Sequence, residues 1–392
     1  MKYSINLVLI VLFFACGKTI PSDPKKDPIV VEEKDGDQDT GSPQEVVVSF
    51  DDPKIQYEGR VEIEGKDGAY LYWSGTAVRL NFQGKGVRVS LQDFSPNNEN
   101  YFYVIVDGQV QGKIKVDRVR RFYTLAENLN EGTHRVELFK INHMNAGYGR
   151  SYTKLFGFKL IGEGKILDPS PLKQRKIEFY GNSITCGRSN EDDTDTDSPA
   201  SIYENNYLAY GAITARHFNA QYHCIAMSGI GLSIGYTNII MPELYDRINP
   251  FDEIKKWDFT QYIPDIVVVN LFQNDASVLN TPSYNPSEFQ KRYGGVQPTD
   301  QQLVVKYQKF LAEIRTKYPD AHIVCTLGSM NAVVFQGGRY TQIISDAVAG
   351  LFDEKIYTHF FSYKNTPRHP NVAEHQEMAN SLIAFITDNI DW

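Results

Sequence analysis

The chain has 392 residues, 42% apolar and 22% charged, a composition that suits a folded protein long enough for two domains. Its net charge of −8 argues against a nucleic-acid partner, since no basic excess is available to displace counterions from phosphates. The 24 Tyr and 22 Phe fit the core of a β-sandwich, and the alternative is a surface that stacks on sugar rings.

Residues 1–16 read as an export signal. Lys2 precedes an apolar run from Ile5 to Ala15, too short for a mature membrane span, which takes about 20 residues. The run ends in FFACGK, which resembles the lipobox of bacterial lipoproteins. The resemblance implies a lipid on Cys16 and a protein held at the envelope of a bacterium, periplasmic or on the outer surface. An ordinary signal peptide with an incidental cysteine is the alternative. Residues 17–45, rich in Pro, Asp, Lys, Gly and Ser, have too little apolar surface to fold and read as a tether.

From residue 46 to 162 short strand-like runs follow one another: RVEIEG, AYLYWSG, AVRLNFQGKG, VRVSLQDF, YFYVIVDG, RFYTLAENL and THRVELFKI. Turn residues recur about every 8–12 positions and no helical period appears, which predicts an all-β sandwich of the jelly-roll kind. Trp73 and the Tyr70–Tyr72 cluster fit strand packing or sugar binding. Residues 163–174, with Pro169 and Pro171, read as the connector between domains.

From residue 175 to 392 strand-like runs alternate with helical ones. Continuous apolar strands are predicted over 176–181, 222–227, 265–272, 322–328 and 355–361. Leu303, Val304, Tyr307, Phe310, Leu311, Ile314 and Tyr318 fall on one helix face behind a capping box of Thr299 and Gln302. A last helix is expected from about Pro370, buried along Met378, Leu382, Phe385 and Ile386. This alternation implies an α/β domain whose parallel sheet is covered by helices on both faces. Ligands then bind at the carboxyl ends of the strands.

Those strand ends carry the chemistry. The first closes on Gly181-Asn182-Ser183, where Ser183 is either a helix cap or a nucleophile exposed on a sharp turn. The second ends in SGIGL, where Gly229 and Gly231 let a backbone N–H approach a ligand. The third ends in Asn270, Asn274 and Asp275, and an Asn there can direct an amide at an oxyanion. The fifth leads to His369, just before the last helix, while His375 lies inside that helix as a packing or hydrogen-bonding residue. Cys186, Cys224 and Cys325 have no metal-ligand spacing and read as buried thiols. The acidic run Glu191–Asp197 lacks calcium-loop spacing and reads as a solvated insertion, so neither a metal nor an organic cofactor is expected.

The order Ser183, Gly229, Asn274, His369 resembles the four blocks of the SGNH (GDSL-like) hydrolases, whose α/β domain has a flavodoxin-like sheet. The stretches GNSITCG, ENNYLAYG, SGIGL and HPNVAEHQEMA behind a jelly-roll-like domain resemble carbohydrate esterase family 2. The resemblance implies a Ser183 nucleophile, a His369 base and an oxyanion hole from Ser183, Gly229 and Asn274. It implies a serine esterase that removes acetyl groups from plant polysaccharides such as xylan or mannan-type chains. Two positions depart from the pattern. Phe272 replaces a glycine, where its ring is expected to narrow or cap the acyl pocket. Thr366 replaces the aspartate three residues before the histidine, so the usual triad lacks its acid, and a backbone carbonyl takes that role in some family members. A glycan-binding protein with a vestigial hydrolase domain, and an esterase for another acyl group such as feruloyl, stand as alternatives.

Overall fold

A computed structural model describes residues 46–96, 99–142, 151–194 and 196–392. The export signal, Cys16 and the tether lie outside the described residues.

The first domain contains β1 (Val47–Ser49), β2 (Gln56–Glu58), β3 (Val61–Glu62), β4 (Ala69–Leu71), β5 (Ala77–Gly84), β6 (Val87–Asp93), β7 (Tyr101–Val106), β8 (Gln109–Lys115), β9 (Arg121–Ala126), β10 (Thr133–Lys140), β11 (Thr153–Leu160) and β12 (Gly164–Ile166). They form two antiparallel sheets, ordered β3-β4-β11-β6-β9 with β1 on β11, and β12-β5-β10-β7-β8 with β2 on β5. Alternation along each strand sends Val78, Leu80, Phe82, Val89, Leu91, Phe102, Val104, Val136 and Leu138 into the interior between the sheets. The start of the expected connector is itself an edge strand, because Ile166 pairs with Phe82 of β5. The residues after it are tied to both domains: the Gln56 amide donates to the Ser170 carbonyl, and Lys173 Nζ to that of Ala220.

The second domain is built on five parallel strands, β13 (Lys176–Gly181), β14 (Gln221–Ala226), β15 (Ile266–Asn270), β16 (His322–Leu327) and β17 (Ile356–Phe360). Their spatial order, β14-β13-β15-β16-β17, is the flavodoxin-like order, whose switch point lies between the first and third strands of the domain. The helices that matter below are α1 (Ser183–Cys186), α2 (Tyr210–His217), α3 (Met241–Leu244), α4 (Gln273–Asn280), α5 (Pro286–Tyr293), α6 (Asp300–Lys317), α7 (Arg339–Ala349) and α8 (Val372–Asn389). On α6 the expected capping box forms in both directions: Gln302 N–H donates to Thr299 Oγ1 at 3.2 Å, and Thr299 N–H to Gln302 Oε1 at 2.9 Å. The last helix starts later than expected. Asn371 caps it and Glu374 completes the box, leaving Pro370 outside.

The domains are locked together by a buried ion pair. Arg60, from the turn between β2 and β3, meets Glu178 of β13 at 3.0 Å with both side chains fully buried. Glu178 Oε2 also accepts hydroxyl hydrogens from Tyr180 and Tyr318, and Arg60 donates to the carbonyls of Tyr245 and Arg247. Burial works against the Glu178 carboxylate, but Arg60 and the surrounding donors hold its pKa down at about 2. Trp73, 1% exposed, belongs to this packing, its indole N–H donating to the Ile248 carbonyl at 2.8 Å.

Candidate active site

Two neighbouring strand ends, those of β13 and β15, flank the switch point. β13 runs straight into α1, and the turn is so tight that a Cβ on Gly181 would lie 2.0 Å from Thr185 Oγ1. Asn182 is the cap of α1, its side-chain oxygen accepting from Ile184 N–H at 3.0 Å. Ser183 is therefore not needed as a cap. It is the first helical residue, where its N–H has no partner within the helix.

Beyond β14 the chain folds into a loop held by Asp275. This buried carboxylate accepts from the N–H groups of Leu232, Ser233 and Ile234 and from the Ser233 hydroxyl, at 2.6 to 3.1 Å. Gly229 in the same loop has φ +81°, a left-handed conformation that favours glycine. Asn274, in the first turn of α4, donates one amide hydrogen to the Ile230 carbonyl at 2.7 Å. Its second amide hydrogen remains for a ligand.

His369 arrives in the loop before α8. Its Nε2 lies 2.7 Å from Ser183 Oγ. Its Nδ1 lies 2.9 and 2.8 Å from the two carboxylate oxygens of Asp197, and its backbone N–H donates to Asp197 Oδ1 at 3.3 Å. Burial alone would raise the Asp197 pKa, but its bonds to His369 outweigh that and hold the carboxyl below its ordinary value. Ser183, Gly229, Asn274 and His369 line one cleft of about 570 Å³, together with Arg188 and Tyr236. A serine, an imidazole and a carboxylate in line, beside backbone and amide donors, make a site for acyl transfer.

The four residues singled out from the sequence thus meet in one cleft. Comparison with known proteins points the same way. Residues 57–171 match the family model described as Carbohydrate esterase 2 N-terminal. The chain is 34% identical over 355 residues to a cellulase/esterase, CelE, of Acetivibrio thermocellus, covering 87% of this chain and 40% of that relative's length. It is 25% identical over 357 residues to an acetylxylan esterase/glucomannan deacetylase of Cellvibrio japonicus, covering 88% of this chain and 91% of that one. A solved family two carbohydrate esterase from Clostridium thermocellum, in complex with cellohexaose, is 32% identical with a TM-score of 0.74, covering 85% of this chain and 98% of that chain. The chain belongs to carbohydrate esterase family 2.

Within the family pattern, the two departures have physical explanations that differ from the expectations. Phe272 neither narrows nor caps the cleft. It takes a left-handed conformation of the kind that favours glycine, φ +86°, and its ring is fully buried against Tyr307 and Tyr340, with centroids at 5.1 and 6.0 Å. Thr366 does not replace the missing acid. Its hydroxyl accepts from Lys364 Nζ, and the imidazole is held by Asp197 instead of a backbone carbonyl.

The acidic run is solvated only in part: Asp193, Thr194 and Thr196 are exposed, while Glu191, Asp192 and Asp197 have partners in the fold. Asp192 gathers the loop, accepting from Thr194 and Ser198 N–H groups and from the hydroxyls of Thr194 and Thr196. Those donors, Ser198 N–H foremost, hold its carboxyl far below the usual range. Glu191 faces the β-sandwich, pairing with Lys113 of β8 and accepting from the Tyr103 hydroxyl of β7 at 3.3 Å and the Asn205 amide at 3.0 Å. Asp197, with φ +56°, turns its side chain back onto His369. Among the described residues no cluster of His, Cys, Asp or Glu has the arrangement of a metal site.

His375 is a packing residue, as expected. It stacks on Tyr210 and its Nδ1 accepts from Tyr210 N–H at 3.3 Å, while burial lowers its pKa to about 3 and keeps it neutral. The three thiols are buried and form no disulfide with one another, and burial raises those of Cys224 and Cys325 to about 12, well away from reactivity.

Proposed function

We propose that this chain is a serine esterase that removes O-acetyl groups from plant-polysaccharide sugars through an acyl-enzyme. The observation that carries the proposal is the unbroken line from Ser183 Oγ to His369 Nε2, 2.7 Å, and from His369 Nδ1 to Asp197, 2.8 Å. The acetylxylan esterases and glucomannan deacetylases among its relatives favour acetyl as the acyl group.

Asp197 fixes the tautomer with hydrogen on Nδ1, leaving Nε2 free to accept the Ser183 proton as Oγ attacks the acetyl carbonyl. Charge develops on the carbonyl oxygen beside the Ser183 N–H, the Gly229 N–H and the second amide hydrogen of Asn274. Loss of one such donor typically costs about 10²- to 10³-fold in rate. Collapse of the tetrahedral intermediate releases the sugar hydroxyl, which takes its proton from His369. Water, activated by the same imidazole, then frees acetate and restores the serine.

The two departures that favour a vestigial, purely glycan-binding domain are explained by Asp197 and by the packing of Phe272. The deciding experiment is acetate release from acetylated xylan, glucomannan and monosaccharide esters by the wild type and Ser183→Ala. Release by the wild type and none by the variant supports the proposal. Turnover of feruloyl esters alone would reassign the acyl group, and sugar binding without turnover of any ester would reassign the protein as a binding module.

We further infer, from sequence, a lipid anchor on Cys16 with residues 17–45 as a tether to the cell envelope. Metabolic labelling with a fatty-acid analogue should mark the wild type and not Cys16→Ser. Labelling of neither would leave only a cleaved signal.

A further inference from the structure

Arg188 lies in the same cleft as Ser183, Asn274 and His369, and the mechanism above does not use it. It follows Gly187, the C-cap of α1, and its backbone N–H donates to the Ser183 carbonyl at 3.1 Å, so its backbone is held by the nucleophile turn itself. Its Nε is buried with no hydrogen-bond partner, and no described residue forms a hydrogen bond or ion pair with its guanidinium. Asp197, an anion near enough to interact electrostatically, gives both carboxylate oxygens to His369. The two other cations beside His369 are differently placed: Arg368 and Lys364 both reach Glu374, at 3.0 and 3.8 Å. Arg188 is therefore a half-buried cation facing the substrate space with its fork of donors unused.

A guanidinium binds a planar carboxylate through two parallel hydrogen bonds, and it does so most strongly where water is partly excluded. We propose that Arg188 forms a subsite for a sugar carboxylate, so that the preferred substrate is an acetylated oligosaccharide carrying a hexuronic acid on or next to the acetylated residue. The proposal rests on the deacetylase reading and narrows its substrate class. The carboxylate would pair with Arg188 while the acetyl carbonyl sits at Ser183, and no bond to the uronic acid is made or broken.

The test compares acetylated oligosaccharides containing a hexuronic acid with the same oligosaccharides after chemical reduction of the carboxyl to a neutral sugar. The quantity read is the ratio of kcat/KM for acetate release between the two substrates. A loss of folded protein lowers both values equally and cancels in the ratio. The wild type should favour the acidic substrate by about tenfold or more, as expected for a charge-assisted pair. Arg188→Gln should bring the ratio near one, and Arg188→Lys should fall between, since an ammonium keeps the charge and loses the fork. Equal rates on the two substrates by the wild type, or a ratio unchanged in Arg188→Gln, would overturn the subsite and leave deacetylation standing. Failure to release acetate from either substrate, with 4-nitrophenyl acetate still hydrolysed, would instead overturn the deacetylase reading and the subsite with it.

Discussion

Asp197 holds His369 Nδ1 with both carboxylate oxygens, at 2.9 and 2.8 Å, across a sequence separation of 172 residues. The contact closes a Ser–His–Asp line whose acid comes from the insertion after the nucleophile, not from the loop of the histidine. Asp197→Asn should reduce kcat by about 10⁴-fold, because an amide hydrogen facing Nδ1 favours the wrong tautomer. Asp197→Ala should lose less, by about tenfold relative to Asn, since water can accept from Nδ1 in its place. Steady-state hydrolysis of 4-nitrophenyl acetate measures both. Full activity in either variant would show that the carboxylate does not orient the base.

The same contact has a stability signature. Asp197 has a folded pKa below its unfolded value, because His369 favours the ionised form. A carboxyl shifted that way contributes stability that is fully present above about pH 4 and is lost as pH falls through the folded value. The difference in denaturant midpoint between the wild type and Asp197→Asn should therefore shrink as pH falls below about pH 4. A difference that widens below about pH 4 would mean that the carboxyl is bound in its protonated form.

The β-sandwich reaches the catalytic line without touching it. Lys113 of β8 pairs with Glu191, and Glu191 begins the loop that ends at Asp197. Lys113→Met should loosen that loop and lower kcat by about 10- to 100-fold, the range for sub-ångström to ångström misplacement of a catalytic group. In an Asp197→Ala background the same change should add almost nothing, because the group it positions is already gone. Fully additive losses in this double-mutant cycle would mean that Lys113 acts by another route.

Much of this was legible in the sequence, and for a definite reason. Ser183, Gly229, Asn274 and His369 each lie just past a strand-like run, and a parallel sheet gathers such loops at one edge. The stripe from Leu303 to Ile314 likewise marked α6 because burial follows the helical period. Asp197 left no such mark. It is one of several carboxylates in a short acidic run, and composition could not distinguish the one that turns inward from Asp192, which ties the loop, or Glu191, which meets the other domain. The absence of an acid at position 366 signalled that another group was needed, without indicating which. The placement of Phe272 is hidden for a related reason. The sequence shows a bulky residue at a glycine position, but φ decides where its side chain goes, and a left-handed backbone sends the ring into the core.

That conformation makes Phe272 a test of which cost dominates. A non-glycine residue in the left-handed region costs about 1–2 kcal/mol, whereas removing a buried aromatic ring costs about 3–5 kcal/mol. Phe272→Gly loses the packing against Tyr307 and Tyr340 and relieves the backbone, so a net loss of about 1–4 kcal/mol is expected. Phe272→Ala loses nearly the same packing and keeps the strain. It should be less stable than the glycine variant by about 1 kcal/mol, the reverse of the usual preference for alanine over glycine near a helix. Urea midpoints of the two variants decide the matter. An alanine variant more stable than the glycine variant would show that the backbone at 272 carries no appreciable strain, and that packing alone set the choice of phenylalanine.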